Sequence, residues 1–281
     1  MTPYFIYDVF TQFPFGGNQL AIIPDATSLA ESNLQKIARE FNFSETTFVF
    51  PPDDAAHTAK VRIFTPTMEI PFAGHPLIGT ACSLAKEGAA QEMVLELGIG
   101  PITVKSDGES ASFTTTQPLE ILCEPEPTLV AEALSIDTGD IQFQTHPPVM
   151  ASLGLPFTIT EVKSREILAQ TSPDIAVMRK GNTRYPSGLD FAQFVYARDG
   201  NTLYARMFAP LDNIPEDPAT GSACATAAAL LAKIENSNLD LSIHQGVEMA
   251  RPSEISVSVA DGQVTVSGQA QRIMEGKLLF G

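Results

Sequence analysis

Apolar and polar residues alternate with a period of two over Tyr4 to Phe10, Thr46 to Phe50, Lys60 to Phe64, Glu92 to Leu97, Phe191 to Ala197, Glu254 to Ala260 and Gln263 to Ser267. That alternation predicts a strand at each. A helical period is scarcer. Leu34, Ile37, Ala38 and Phe41 recur at i, i+3, i+4 and i+7 behind Ser28-x-x-Glu31, the form of a capping box, and predict a helix over 29–41. Leu77, Ala81 and Leu84 mark a second over 77–87, ended by Gly88. Ala223 to Ile234 is apolar almost all round, as a helix enclosed by a sheet would be. Many strands with a few buried helices specify an α+β fold.

An internal repeat organises these elements. Arg62-Ile-Phe64-Thr-Pro66 followed by Ile70-Pro71 matches Arg206-Met-Phe208-Ala-Pro210 followed by Ile214-Pro215, every matched pair 144 positions apart (62 to 206, 71 to 215). Each copy continues through a glycine-containing turn, Ala73-Gly74-His75-Pro76 or Asp217-Pro218-Ala219-Thr220-Gly221-Ser222, into a helix. Two related halves imply a pseudo-twofold pair of domains, over 1–117 and 128–270, with a last strand near 271–281 returning to the first. Pro118, Pro125 and Pro127 place the linker in Gln117 to Thr128.

Composition narrows the function classes. With 281 residues, 44% hydrophobic and 18% charged, the chain is globular and can bury a large core. Its 17 Lys+Arg against 33 Asp+Glu leave −16, a field that repels nucleic acid and anionic membranes. Met1 to Phe10 has no basic residue and no apolar run reaches the ~18 residues of a membrane span, so a cytoplasmic protein is expected. Three cysteines form no CxxC pair, four scattered histidines show no ligand spacing, and GxSxG, GxxxxGK[ST], GxGxxG and HExxH are all missing. The expectation is a protein without metal or cofactor.

Chemistry concentrates at the two turns. A helix start presents backbone N–H groups and the positive end of the macrodipole, which suits a carboxylate or phosphate. Gly74 with His75 and Gly221 with Ser222 could therefore hold a small anionic metabolite in a cleft between the halves. Either turn alone reads equally as a plain helix cap, with Ser222 as the N-cap residue; their pairing by the repeat favours the ligand reading. His75 and Asp217 could exchange protons beside such an anion, although each residue type is also at home in structural hydrogen bonds. Two helix ends and a charged His75 are expected to make the site locally positive despite the −16. Pro14-Phe-Gly16-Gly17-Asn18 is a turn in which Asn18 could donate to a ligand. Spacing alone does not single out Glu45.

The motifs Asp8-Val-Phe-Thr with Gly17-Asn18, Phe43-Ser44-Glu45-Thr46-Thr47-Phe48, Phe64-Thr-Pro66 through Pro71-Phe-Ala-Gly74-His75-Pro76, Glu216-Asp217-Pro218-Ala219-Thr220-Gly221-Ser222-Ala223, and Gln245-Gly-Val-Glu with Arg251-Pro252-Ser253 together resemble the phenazine-biosynthesis PhzF-like family. Gln19, where the family usually has proline, is the one visible departure. The resemblance implies a diaminopimelate epimerase-like fold of two domains, each a β-barrel-like sheet wrapped around a central helix. It implies a homodimeric, cofactor-independent isomerase that moves a proton on a small carboxylated metabolite. Glu45, His75 and Asp217 would be catalytic, and Asn18, Ser44, Gly74, Thr220, Gly221 and Ser222 would bind substrate. The epimerase relatives use a cysteine in each half, where this chain has Ala73 and Thr220, so a two-thiol racemase is disfavoured. The competing expectation is a non-catalytic metabolite-binding protein on the same fold.

Overall fold

The computed structural model describes residues 1–279; residues 280 and 281, the end of the segment expected to return as a strand over 271–281, lie outside the described residues. The chain divides into two compact units, Met1–Thr114 with the segment from Val266, and Thr115–Thr265.

The first unit runs β1 (Thr2–Val9), β2 (Asn18–Ile23), α1 (Glu31–Phe41), β3 (Glu45–Phe50), β4 (Ala59–Phe64), β5 (Glu69–Ile70), α2 (Gly74–Lys86), β6 (Glu92–Leu97), β7 (Gly100–Ser106) and β8 (Ser110–Thr115). β1 and β2 are antiparallel, β3 lies parallel to β2, β4 antiparallel to β3, β6 parallel to β4, and β7 and β8 follow as antiparallel neighbours. The burial of α2 is continuous from Gly74 to Ser83, and it touches β1, β2, β3 and β7. A helix met by strands on that many sides is the centre of its unit.

The second unit runs β9 (Glu120–Cys123), α3 (Pro127–Ala133), β10 (Val149–Ser152), β11 (Pro156–Glu161), α4 (Arg165–Gln170), α5 (Ile175–Arg184), β12 (Gln193–Asp199), β13 (Thr202–Ala209), β14 (Ile214–Asp217), α6 (Gly221–Glu235), β15 (Leu239–Gln245) and β16 (Ser253–Ala260). Its pairings repeat the first unit's in order. β10 and β11 are antiparallel, β11 and β12 parallel, β12 and β13 antiparallel, β13 and β15 parallel, and β15 and β16 antiparallel. Contacts of α6 with β10 and β11 at one end of this row and β15 and β16 at the other mean that the sheet curls around it. The small side chains of α6, a run rich in alanine, let strands approach on all sides.

β17 (Gln263–Leu278) begins after Asp261-Gly262, both at positive φ (51° and 77°), the backbone of a two-residue hairpin turn. It then pairs with β1 from Val9↔Ala270 to Thr2↔Leu278, and with β8. The strands β1, β2, β3, β4, β6, β7, β8 and β17 thereby close the first unit into an eight-stranded ring without an exposed edge.

Several expectations change. The linker expected in Gln117 to Thr128 contains β9, which pairs with β10, and Pro127 opens α3 as a first-turn proline. Proline lacks an N–H that the first helical turn would leave unbonded anyway, so it starts a helix there. The division accordingly falls at Thr114/Thr115 and Thr265/Val266. The capping box does not form: Ala30 is the N-cap of α1 without a side-chain bond, and Ser28 Oγ lies 3.0 Å from Thr2 Oγ1 instead. α2 starts at Gly74, three residues before its first periodic position.

Candidate active site

In the first unit, the chain leaves β1 and re-enters the sheet through Gly17, whose φ is +60° and where a Cβ would stand 2.3 Å from the Val9 carbonyl oxygen. Only glycine makes this return, and it delivers Asn18 buried at the start of β2. The parallel register sets Leu20 opposite Glu45, so Ser44 and Glu45 enter β3 beside Asn18. The Ser44 hydroxyl donates to Asn18 Oδ1 at 2.8 Å. The amide nitrogen of Asn18 then faces His75 Nδ1 at 3.4 Å, and His75 Nε2 lies 3.4 Å from Glu45 Oε2. The structure thus brings Asn18, Ser44, Glu45, Gly74 and His75 into one corner of the unit.

His75 differs from the sequence expectation. Burial pushes its pKa down to about 3, an effect only partly offset by a contact with the Gln19 backbone. It lies in the first turn of α2, where the macrodipole also disfavours a cation. The ring is neutral at physiological pH and adds no positive charge to the site. Its contact with Glu45 is that of a neutral ring with a carboxyl group, and the geometry falls short of a full hydrogen bond.

In the second unit, β14 ends at Asp217 and α6 begins at Gly221, with Thr220 as its N-cap. The Thr220 hydroxyl caps nothing; it donates to Asp217 Oδ2 at 2.5 Å. Ser222 sits inside the helix rather than at its cap, so the plain-cap reading of this turn fails. Neither α2 nor α6 has a side-chain cap or an acidic residue in its first turn. Each therefore keeps the positive end of its macrodipole uncompensated by its own sequence. Asp217, Thr220, Gly221 and Ser222 thus share one turn.

One participant carried no role in the sequence reading. Gln245, fully buried at the end of β15, bonds to the turn through both ends of its amide. Ser253 Oγ adds a bond to the Pro218 carbonyl at 2.7 Å. Gly246, at φ +73°, permits the approach, because a Cβ there would stand 2.7 Å from Pro218 O. The local signal was the motif Gln245-Gly-Val-Glu with Arg251-Pro252-Ser253, to which no role was attached, and 25 residues separate Gln245 from its partner Thr220.

Register also compares the halves residue by residue. Thr46 stands opposite Phe64, and Gln193 stands opposite Phe208, the repeat mate of Phe64. Glu45 therefore corresponds to Ala192, which is buried and carries no ionisable group. Ala73 and Thr220 are the matching N-caps of α2 and α6, and neither has a thiol. Burial pushes the Cys82 thiol up to about 11; burial and the Asp217 charge raise that of Cys224. Both stay protonated at neutral pH. Among the described residues no three of His, Cys, Asp and Glu converge as metal ligands, and no helix is long and apolar enough to cross a membrane.

Comparison with known proteins shows the family and the fold. Residues 7–276 match the family described as phenazine biosynthesis-like protein. An uncharacterized isomerase of Mesorhizobium japonicum is 35% identical over 297 residues, covering 99% of this chain and 98% of the relative. A trans-2,3-dihydro-3-hydroxyanthranilate isomerase of Pseudomonas aeruginosa is 33% identical over 291 residues, covering 99% of each. The crystal structure of a PhzF-family protein of Bacillus anthracis superposes with a TM-score of 0.88 at 24% identity, over 99% of both chains, a likeness of fold.

Proposed function

Because the chain belongs to the phenazine biosynthesis-like protein family, we propose that it is an isomerase in which Glu45 moves a proton on a small carboxylated, cyclic metabolite without a cofactor. The observation that carries this reading is the asymmetry of the halves: a glutamate whose Oε2 is buried faces a neutral histidine in one, and alanine occupies its place in the other. A racemase working from two faces needs two opposed acid/base groups, whereas an isomerase that lifts a proton and returns it elsewhere needs one. The carboxylate of Glu45 takes a proton from a substrate carbon, the electron pair shifts along the adjacent unsaturated system, and the carboxyl group returns the proton at a second position. His75, a neutral group beside Glu45, does not compete for the proton. Asp217 stays a candidate catalytic residue beside the single base Glu45, and the starts of α2 and α6 candidates for binding acidic groups.

The first substrate to test is trans-2,3-dihydro-3-hydroxyanthranilate, the compound named for the Pseudomonas relatives, followed by other small cyclic amino and hydroxy carboxylates. Incubation in deuterated water with NMR detection should place solvent deuterium on a substrate carbon. Glu45→Gln keeps the shape and removes the base, so exchange should fall by ~10²-fold or more. Undiminished exchange in that variant would falsify the assignment of Glu45. Thermal stabilisation by a carboxylate without deuterium uptake would instead favour a metabolite-binding protein.

A further inference from the structure

Outside the candidate site, three buried side chains of the second unit touch in a row. Tyr196 on β12 is fully buried, its hydroxyl 2.8 Å from His146 Nε2 on one side and 3.1 Å from Glu161 Oε2 on the other. His146 stands in the segment before β10 and is 4% exposed; Glu161 ends β11 and is 7% exposed. The second ring nitrogen, His146 Nδ1, lies 2.6 Å from the Pro147 carbonyl oxygen. A backbone carbonyl can only accept, so Nδ1 carries a proton, and turning the ring over would set carbon atoms against both partners. Tyr196 lies four residues beyond Ala192, the position that matches Glu45, which is about 13 Å further along β12 at the rise of a strand.

The row needs more protons than its members bring at neutral pH. Its two contacts join Nε2, the phenol oxygen and Oε2, and each contact requires a proton between its atoms. A neutral imidazole protonated at Nδ1, a phenol and an ionised carboxyl group together supply one. Burial, with the Glu161 charge beside it, raises the Tyr196 pKa well above the ordinary phenol value, so Tyr196 keeps its single proton. When that proton points to Nε2, Oε2 faces the phenol oxygen with no hydrogen between them; when it points to Oε2, Nε2 is left so. We propose that His146, Tyr196 and Glu161 form a proton-holding triad, a buried latch that keeps one proton more than these groups carry in water at neutral pH and that, while it does so, ties the segment 142–148 to β11 and β12.

The extra proton can sit on Nε2 or on Oε2. In both arrangements the triad has no net charge, whereas losing the proton leaves a buried negative charge and a contact without hydrogen. Burial pushes His146 toward its neutral form, against the Pro147 bond and the Glu161 charge. Sharing resolves that opposition, because a proton that leaves Nε2 is held at Oε2 with both contacts intact, so the pair titrates as one group. The charged groups acting on Tyr196 from beyond the triad, Arg198 of β12 and Glu235 of α6, pair with one another and cancel.

The test is NMR of the full-length protein carrying ¹⁵N-histidine and ¹³C-carboxyl glutamate, with the signals assigned by their loss in His146→Gln and Glu161→Gln. At pH 7, either both ring nitrogens of His146 or the Glu161 carboxyl group should show the extra proton. On raising the pH, both signals should move together at one midpoint, about one to two pH units above the 6.5 of free histidine. Amide exchange over 142–148, corrected for its intrinsic pH dependence, should quicken at least tenfold through that midpoint. Glu161→Gln supplies an N–H in place of the titrating proton, so His146 should stay neutral there and the exchange should not quicken. Tyr196→Phe removes the shared oxygen, and the two groups should then titrate apart. A neutral His146 beside an ionised Glu161 at pH 7 in the wild type, unlinked midpoints, or exchange over 142–148 that ignores the midpoint overturns the proposal. These readouts need no substrate, so they stand whether or not the protein proves to be an isomerase.

Discussion

Arg62 and Arg206 are repeat mates on β4 and β13, and replacing each with methionine should have very different effects on stability. Counted as hydrogen bonds to carboxylates, Arg62 is the richer. It makes four charge-assisted hydrogen bonds of 2.6 to 2.8 Å to Glu31 and Glu69. Those carboxylates are 73% and 43% exposed, however, so water replaces the arginine readily. Exposed pairs of this kind contribute below about 1 kcal/mol, and Arg62→Met should cost no more than that. Arg206 is 9% exposed at its side chain and its partner Glu216 17%. It grips Glu216 with two bonds of 2.8 Å and donates to the Thr171 carbonyl at 2.7 Å, past the end of α4. Arg206→Met would strand a largely buried carboxylate and a buried carbonyl, for which roughly 3 kcal/mol or more is expected. The chain has no tryptophan, so equilibrium unfolding in urea is best read by far-ultraviolet circular dichroism, with the two units' transitions fitted separately where they part. If Arg62→Met proved as costly as Arg206→Met, burial would not be what separates the two arginines, and the reasoning would fail.

Three further outcomes are expected. The His75 pKa is lowered in the folded protein from 6.5 to about 3, so its neutral burial contributes stability above pH 6.5 that is lost as pH falls toward 3, by at most about 1.4 kcal/mol per pH unit; urea midpoints from pH 4 to 7 should show that decline, flattened in His75→Gln, and a His75 ring signal titrating near pH 6.5 would contradict it. Cys82 and Cys224 should resist a thiol reagent at pH 8 in the folded protein, and Cys224→Ser should retain substrate exchange, since neither thiol is ionised; loss of exchange in that variant would reopen thiol chemistry. Purified protein should be colourless and keep its activity after dialysis against a chelator, whereas stoichiometric zinc, flavin or pyridoxal phosphate would count against the proposed mechanism.

Much of this architecture is local chemistry and could be read along the chain. Strand periodicity marked β4, β6 and β16 nearly to the residue, because one face of each strand packs inward while the other meets solvent or a polar layer. The repeat of Arg62 to Pro71 in Arg206 to Pro215 announced two halves of one topology, and the pairings reproduce it strand for strand. β11 was not legible, because it is buried at all six positions and alternation vanishes, and α4 and α5 are too short to show a period. Tertiary structure alone decided the state of the candidate site residues. Sequence places a histidine at 75, but only its enclosure at the start of α2 makes it neutral. Sequence places arginine at both 62 and 206, but only packing against α4 buries one of them. Gln245 stands in a motif, but no spacing gave it a role; its amide acquires a direction because β15 carries it to a backbone carbonyl and a backbone N–H 25 to 28 residues away. Hydrophobic period and turn chemistry act between near neighbours in the chain, whereas desolvation and hydrogen-bond polarity depend on whatever the fold brings close.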